Sequence, residues 1–303
     1  MNKKSLWKRA VDQKYLLLLL LPGLIYYVIF RYVPMYGIII SFKNYDFMRG
    51  IAGSPWVGLK YFKEFFDSPY VWRIVRNTFT LSFCNLIFGF PMPIIFALLL
   101  NELKSSKLKK LTQTISYLPY FLSTVVVIGL LQQLVSPTSG IINAIRNRMG
   151  MESINFFMIK EYFVPMYVLT DIWQTMGYNA IIYISALSGI DAALYEAARI
   201  DGAGRFRCLW NITLPMLVPT ISVLLILRLG HLMDVGYEKV LLMYNPSIYE
   251  TSDIISTFVY RTGIQSANYS FAAAVGLLNS LVAVVLIVVS NTVSNKLSGD
   301  GLW

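Results

Sequence analysis

Six stretches of this chain are each long and apolar enough to cross a lipid bilayer, and no other property narrows the possible folds as far. A hydrocarbon core of about 30 Å takes roughly 20 residues of helix. Runs of that length lie near residues 15–40, 77–101, 113–136, 163–188, 212–233 and 271–291. In lipid every backbone N–H and C=O must be satisfied within the protein, so each run is predicted to be a helix. The expected fold class is an all-α polytopic membrane protein with six transmembrane helices. Composition agrees, since 56% hydrophobic and 14% charged residues make more apolar surface than a soluble core of 303 residues needs. The formal charge of +10 does not point to nucleic acid, because the basic residues sit in short runs beside apolar segments. Cys84 and Cys208, one in an apolar run and one in a polar stretch, give no disulfide framework.

Lysine and arginine density sets the orientation. Lys3, Lys4, Lys8, Arg9 and Lys14 precede the first span, and Lys104, Lys107, Lys109 and Lys110 fill the 102–112 loop, so both segments are expected in the cytoplasm. Six spans then put both termini inside, with 189–211 inside and 41–76, 137–162 and 234–270 outside. No small-residue cleavage site follows the first span, which reads as an uncleaved anchor. Its proline and Arg31 predict a kink or an early end. The expected organisation is a cytoplasmic tail (1–14), a first transmembrane helix with an outer interfacial segment (15–72), a transmembrane core (73–291) and a second cytoplasmic tail (292–303). Residues 61–79 read as one amphipathic helix, lying on the outer interface or packed against the spans.

The polar interruption EAARIDGAGRFRCLWNITLP, at 196–215, sits on the cytoplasmic side. Ser188 and Asp191 form an S-x-x-D capping pattern ahead of strong helix formers, predicting a helix from Asp191 to Ile200. Gly202 and Gly204 should stop it, and a second short helix, RFRCLWNIT, should lead toward Leu214 and Pro215. Ala192, Ala193, Ala197 and Ala198 are small enough to admit a close partner, while Glu196, Arg199 and Asp201 supply charge.

Glu196, Ala197 and Ala198, then Gly202, Ile212, Leu214 and Pro215, resemble the EAA loop of permease subunits of binding-protein-dependent ABC importers. LLLPGLIYYVIFRYVPMYGIIISFKNY, GSPWVGLKYF, RNTF and ISYLPYFLSTVVV are similar to the carbohydrate branch, in particular permeases for lipo-oligosaccharide or polysaccharide uptake. The resemblance implies a type I ABC importer transmembrane fold in a prokaryotic cell membrane. Two permeases would enclose one pathway, and the EAA loop at 189–215 would dock in an ATPase cleft through Glu196, Ala197, Ala198, Arg199, Asp201, Gly202, Leu214 and Pro215. The implied partners are a second permease, ABC ATPase subunits that bind ATP and Mg, an extracytoplasmic solute-binding protein and a carbohydrate. No cofactor, metal site or catalytic residue is expected in this chain, which carries no G-x-x-x-x-G-K-[ST] phosphate loop and one histidine, His231, expected at the outer end of the fifth span. An intramembrane enzyme would need clustered catalytic groups within the spans. The alternative of an ion-coupled secondary carrier would need a relay of ionisable residues.

Depth selects the pathway candidates. Asn85, Asp171 and Asn279 lie about eight residues in from the outer end of a span and Arg228 about five or six, roughly 8 to 12 Å below the interface at 1.5 Å per residue. Polar groups there must pair or face water, so Asp171 and Arg228 are expected to pair, or to line the pathway with Gln174 and Asn179. Trp173 and Tyr178 are candidate aromatic platforms for sugar faces. The 234–270 segment, with Asp234, Glu238, Lys239, Glu250, Asp253 and Arg261, is expected to form an outer platform for a binding protein.

Overall fold

The computed structural model describes residues 13–298; Lys3, Lys4, Lys8 and Arg9 and the end of the expected C-terminal tail lie outside them. The elements used below are, in chain order, α1 (Lys14–Phe42), α2 (Lys60–Asp67), α3 (Val71–Asn101), α4 (Ser106–Phe121), α5 (Thr124–Leu134), α6 (Ile141–Arg148), α7 (Lys160–Ser188), α8 (Ala192–Ile200), α9 (Arg205–Gly230), α10 (Tyr237–Met243) and α11 (Tyr269–Ser298). By length and composition α1, α3, α9 and α11 can each cross a bilayer, and the bent pairs α4–α5 and α7–α8 bring the number of spans to six.

Proline shapes three of these helices in the same way. A proline ring clashes with the carbonyl four residues back and offers no N–H, which disfavours a regular α-helix, although Pro22, Pro165 and Pro219 lie within α-helical stretches. In α1, α3 and α9 the chain widens into a π turn, at Val28–Tyr32, Asn85–Gly89 and Leu209–Thr213, each ending two residues before Pro34, Pro91 or Pro215. The wider turn moves the carbonyl away and lets the helix continue. Two expectations change as a result. The first span does not end early at Arg31 but stays helical to Phe42, and RFRCLWNIT is not a separate short helix but the first part of a 26-residue helix that includes the fifth span.

Elsewhere helices break where continuity was expected. The third span bends by 102° between α4 and α5. Pro119 tightens Leu118–Phe121 into a 3-10 turn, Leu122 is extended (φ −77°, ψ 138°), and Ser123 caps α5 by accepting from the Val126 N–H at 3.3 Å. The 61–79 segment is likewise two helices. Ser68 precedes Pro69 and so adopts an extended backbone (ψ 133°), which ends α2 before α3 begins.

The chain divides into two units, residues 1–68 with 259–277 and residues 69–258 with 278–303, the last boundary falling inside α11. In the first, α1 exposes its apolar side chains from Leu16 through Phe30, as a lipid-facing anchor must. The loop after it is pinned by an antiparallel bridge between Lys43 and Trp56, by Lys43 Nζ donating to Ile51 O at 2.7 Å, and by Tyr61 Oη donating to Asn44 Oδ1 at 2.6 Å.

In the second unit α7 is the axis. Phe163, Met166, Tyr167 and Val168 in its first half pack with Leu81, Ile128, Val240 and Met243; Ala180, Tyr183 and Leu187 in its second half pack with Ile94, Ala97 and Leu217. Gly177 permits the approach of α4, since a Cβ there would overlap the Ser116 carbonyl. Segments that charge assigns to one side of the membrane are found together. Glu102 and Arg205 meet at 3.9 Å at one end of the unit, and Lys160 and Glu250 at 2.7 Å at the other.

Candidate functional site

A cavity of about 300 Å³ lies between α3, α7 and α9. A second, of about 230 Å³, shares Asn85, Asp171, Thr175, Asn179, Arg228 and His231 with it. The α-helical period puts Asp171, Thr175, Asn179 and Ile182 on one stripe of α7. Asn85 opens the π turn ahead of Pro91, and Gly89 leaves room for its carboxamide, which a Cβ would strike. From there Asn85 Nδ2 donates to Asp171 Oδ2 at 3.1 Å.

The cationic partner of Asp171 is Lys239, whose Nζ donates to Oδ1 at 3.3 Å and lies 4.8 Å from the centre of the Tyr167 ring. Among the described residues no ion pair joins Asp171 to Arg228; the two line the same cavities instead. Lys239 prevails because α10 packs Val240 and Met243 into the core beside α7, which carries the neighbouring ammonium inward, whereas Arg228 stays exposed in the cavities near the end of α9. His231 caps α9 and faces the cavities.

The other pathway candidates lie elsewhere. Trp173 is about 200° round the helix from Asp171, is 48% exposed and does not line the cavity. Gln174 Nε2 donates to the Leu122 carbonyl at 3.1 Å, supplying a partner where the third span breaks. Tyr178 stacks on Tyr120, the rings 3.7 Å apart and 4° from parallel, with Phe121 edge-on. Asn279, on α11, is not among the cavity residues and buries its Oδ1 without a hydrogen bond. The cavity thus gathers Asn85, Asp171, Asn179 and Arg228, and Asn279 does not line it.

Two charges of the expected outer platform also turn inward. Besides Lys239, Asp253 is fully buried and pairs with Arg73 at 3.2 Å. Asp234, Glu238 and Glu250 remain exposed.

At the opposite end of the unit, α8 begins at Asp191, whose carboxylate accepts from the Ala193 N–H at 2.9 Å. Ser188 does not cap it; it is the last residue of α7 and donates to Ile184 O. The helix stops in a Schellman turn. Ala203 N donates to Ala198 O and Gly202 N to Arg199 O, with Gly202 at φ +77°, a conformation that favours glycine. Ala192, Tyr195, Glu196 and Arg199 face a cleft of about 710 Å³ whose other walls include Glu102, Lys104 and Arg205. The face of α8 away from the cleft presents Leu194, at 44% exposure, and Ala197, and the free end of the helix presents Ile200, at 86%. Leu214 and Pro215 lie where α9 resumes α-helical form after its π turn. Glu102 and Lys104 have no distinguishing sequence signal beyond lying in the loop that lysine density assigns to the same side as 189–211.

Residues 75–298 match the family model of the binding-protein-dependent transport system inner membrane component. The polygalacturonan/rhamnogalacturonan transport system permease protein YteP of Bacillus subtilis is 42% identical over 302 residues, covering 100% of this chain and 94% of that one. LplB of the same organism is 42% identical over 98% of this chain and 94% of its own length. Among solved structures, a chain of a bacterial ABC transporter involved in the import of the acidic polysaccharide alginate matches with TM-score 0.90 and 42% identity, covering 97% of this chain and all of that one. A second, the bacterial alginate ABC transporter in complex with alginate pentasaccharide-bound periplasmic protein, matches with TM-score 0.91 and 41% identity over 99% of this chain.

Proposed function

The chain belongs to the family of inner-membrane components of binding-protein-dependent transport systems, and from that premise we propose that it is one permease subunit of an ATP-driven importer for oligosaccharides derived from a polysaccharide. As a member of that family it is a transporter component and a multi-pass membrane protein. Hydrolysis is assigned to separate ATPase subunits that hold ATP and Mg, and substrate delivery to an extracytoplasmic binding protein. A second, similar permease completes the pathway.

The observation that carries this reading is the construction of the α8–α9 joint. A short helix with an apolar outward face and two cleft-facing charges, Glu196 and Arg199, ends at a left-handed glycine and is separated by only four residues from a helix that enters the membrane. Displacement of α8 by a closing ATPase dimer would pass through that joint into α9, which carries Arg228 at its far end. Alternating access then needs no chemistry in this chain, only differential contact of the ATPase with two arrangements of the permeases.

Reconstitution of both permeases, the ATPase and the binding protein in proteoliposomes tests this. Saccharide uptake that requires ATP inside and binding protein outside is expected. Uptake driven by an ion gradient without the ATPase would overturn the reading.

A further inference from the structure

We infer that the cavity between α3, α7 and α9 is a subsite for an anionic sugar, in which Arg228 donates to a carboxylate of the passing oligosaccharide. The inference rests on the carbohydrate-import reading above and adds the residue that reads the charge of the cargo.

The pairing of charges in the cavity leads there. Both oxygens of Asp171 are engaged, Oδ1 by Lys239 at 3.3 Å and Oδ2 by Asn85 at 3.1 Å, so the Lys239 ammonium already balances its charge. Arg228 lines the same cavity, is exposed in this chain, and forms no ion pair with a carboxylate among the described residues. Asp234, in the loop beyond α9, lines only the smaller cavity and is exposed. The larger cavity therefore presents a guanidinium that has no carboxylate partner among the described residues.

Neutral sugars do not require this. Hydroxyl groups are served by amides and hydroxyls, of which Asn179 and Thr175 lie on the same stripe of α7. A planar fork of donors matches a carboxylate in two parallel hydrogen bonds, with a strength and directionality that no hydroxyl offers. The volume of about 300 Å³ is at the lower end of the range for small-molecule sites, which suits one part of a chain passing through.

The test compares wild-type, Arg228→Gln and Arg228→Lys importers, each reconstituted with the second permease, the ATPase and the binding protein. Uptake is measured for short oligouronides, their methyl esters and neutral oligosaccharides of equal length. Binding-protein affinity is common to all three importers, so the ratio of variant to wild type reads the membrane step alone. Arg228→Gln is expected to lower oligouronide uptake by about tenfold more than ester uptake, the effect of losing one charge-assisted contact, with Arg228→Lys between the two. Equal losses for the acid and its ester in both variants would make Arg228 structural and overturn the inference. Wild-type uptake confined to neutral sugars would overturn it while leaving the import reading intact. Uptake of no saccharide at all would remove both.

Discussion

Lys239 Nζ lies 3.3 Å from Asp171 Oδ1, joining a short helix from an outer connection to the middle of the central helix. The Lys239 side chain is 6% exposed and that of Asp171 21%. Removing one partner of a pair so placed strands the other charge, at a cost of about 3 kcal/mol. Lys239→Met and Asp171→Asn should each lower the thermal stability of the purified complex, whereas the double variant should lose about 2 kcal/mol less than their sum. Additive losses in a double-mutant cycle would mean that the two residues act independently.

Gly177 tests the packing of the broken third span against α7. A Cβ there would overlap the Ser116 carbonyl, whereas one at Gly129 in α5 meets nothing within 4 Å. Gly177→Ala should therefore destabilise the complex by about 2 kcal/mol through overpacking. Gly129→Ala should be neutral or stabilise slightly, by up to about 1 kcal/mol, since alanine is the better helix former. Thermal unfolding of the two variants side by side decides it; equal behaviour would remove the close approach as the reason for Gly177.

Much of this was legible in the sequence because a run of about 20 apolar residues allows few alternatives. The turn at Gly202 was legible for a similar reason, since glycine just past a run of helix formers has one common use. The period of α7 also held more than depth alone extracted from it: spacings of 4, 4 and 3 from Asp171 select Thr175, Asn179 and Ile182 and place Trp173 on the opposite face. Other features depend on tertiary contact. Lys239 reads as a surface charge until α10 is seen folded against α7. Nothing in the sequence marks Gln174 as the donor to the carbonyl at the 102° break. Hydropathy is continuous through Leu122, so the break itself was hidden.

The outer surface gives a narrower prediction than its charge count suggested. Glu250 is exposed and accepts a hydrogen bond from Lys160 at 2.7 Å; that bond, then the charge attraction, lowers the Glu250 carboxyl pKa below its ordinary value. The pair is thus present above the ordinary carboxylate range and fades as pH falls through the lowered value. It remains intact at neutral pH. Combined charge reversal of Asp234, Glu238 and Glu250 should weaken binding-protein stimulation of ATP turnover several-fold, more so at low ionic strength. Unchanged stimulation at low salt would remove these residues from the docking surface.

The coupling joint makes the sharpest prediction. Gly202 has φ +77°, and a Cβ placed there would meet nothing within 4 Å, so a side chain faces backbone strain but no steric clash within this chain. Gly202→Asp should cost about 1 to 2 kcal/mol locally, fraying the end of α8 while the spans stay inserted. Glu196→Lys reverses one of the two cleft-facing charges of α8 without touching the backbone. Both variants should reach the membrane at normal levels, retain less ATPase in pull-downs, and transport fewer molecules of sugar per ATP hydrolysed. Loss of association in Gly202→Asp alone would assign the joint to backbone geometry; loss in both would assign it to geometry and charge together. Wild-type association and coupling ratios in both would show that the force enters α9 by another route.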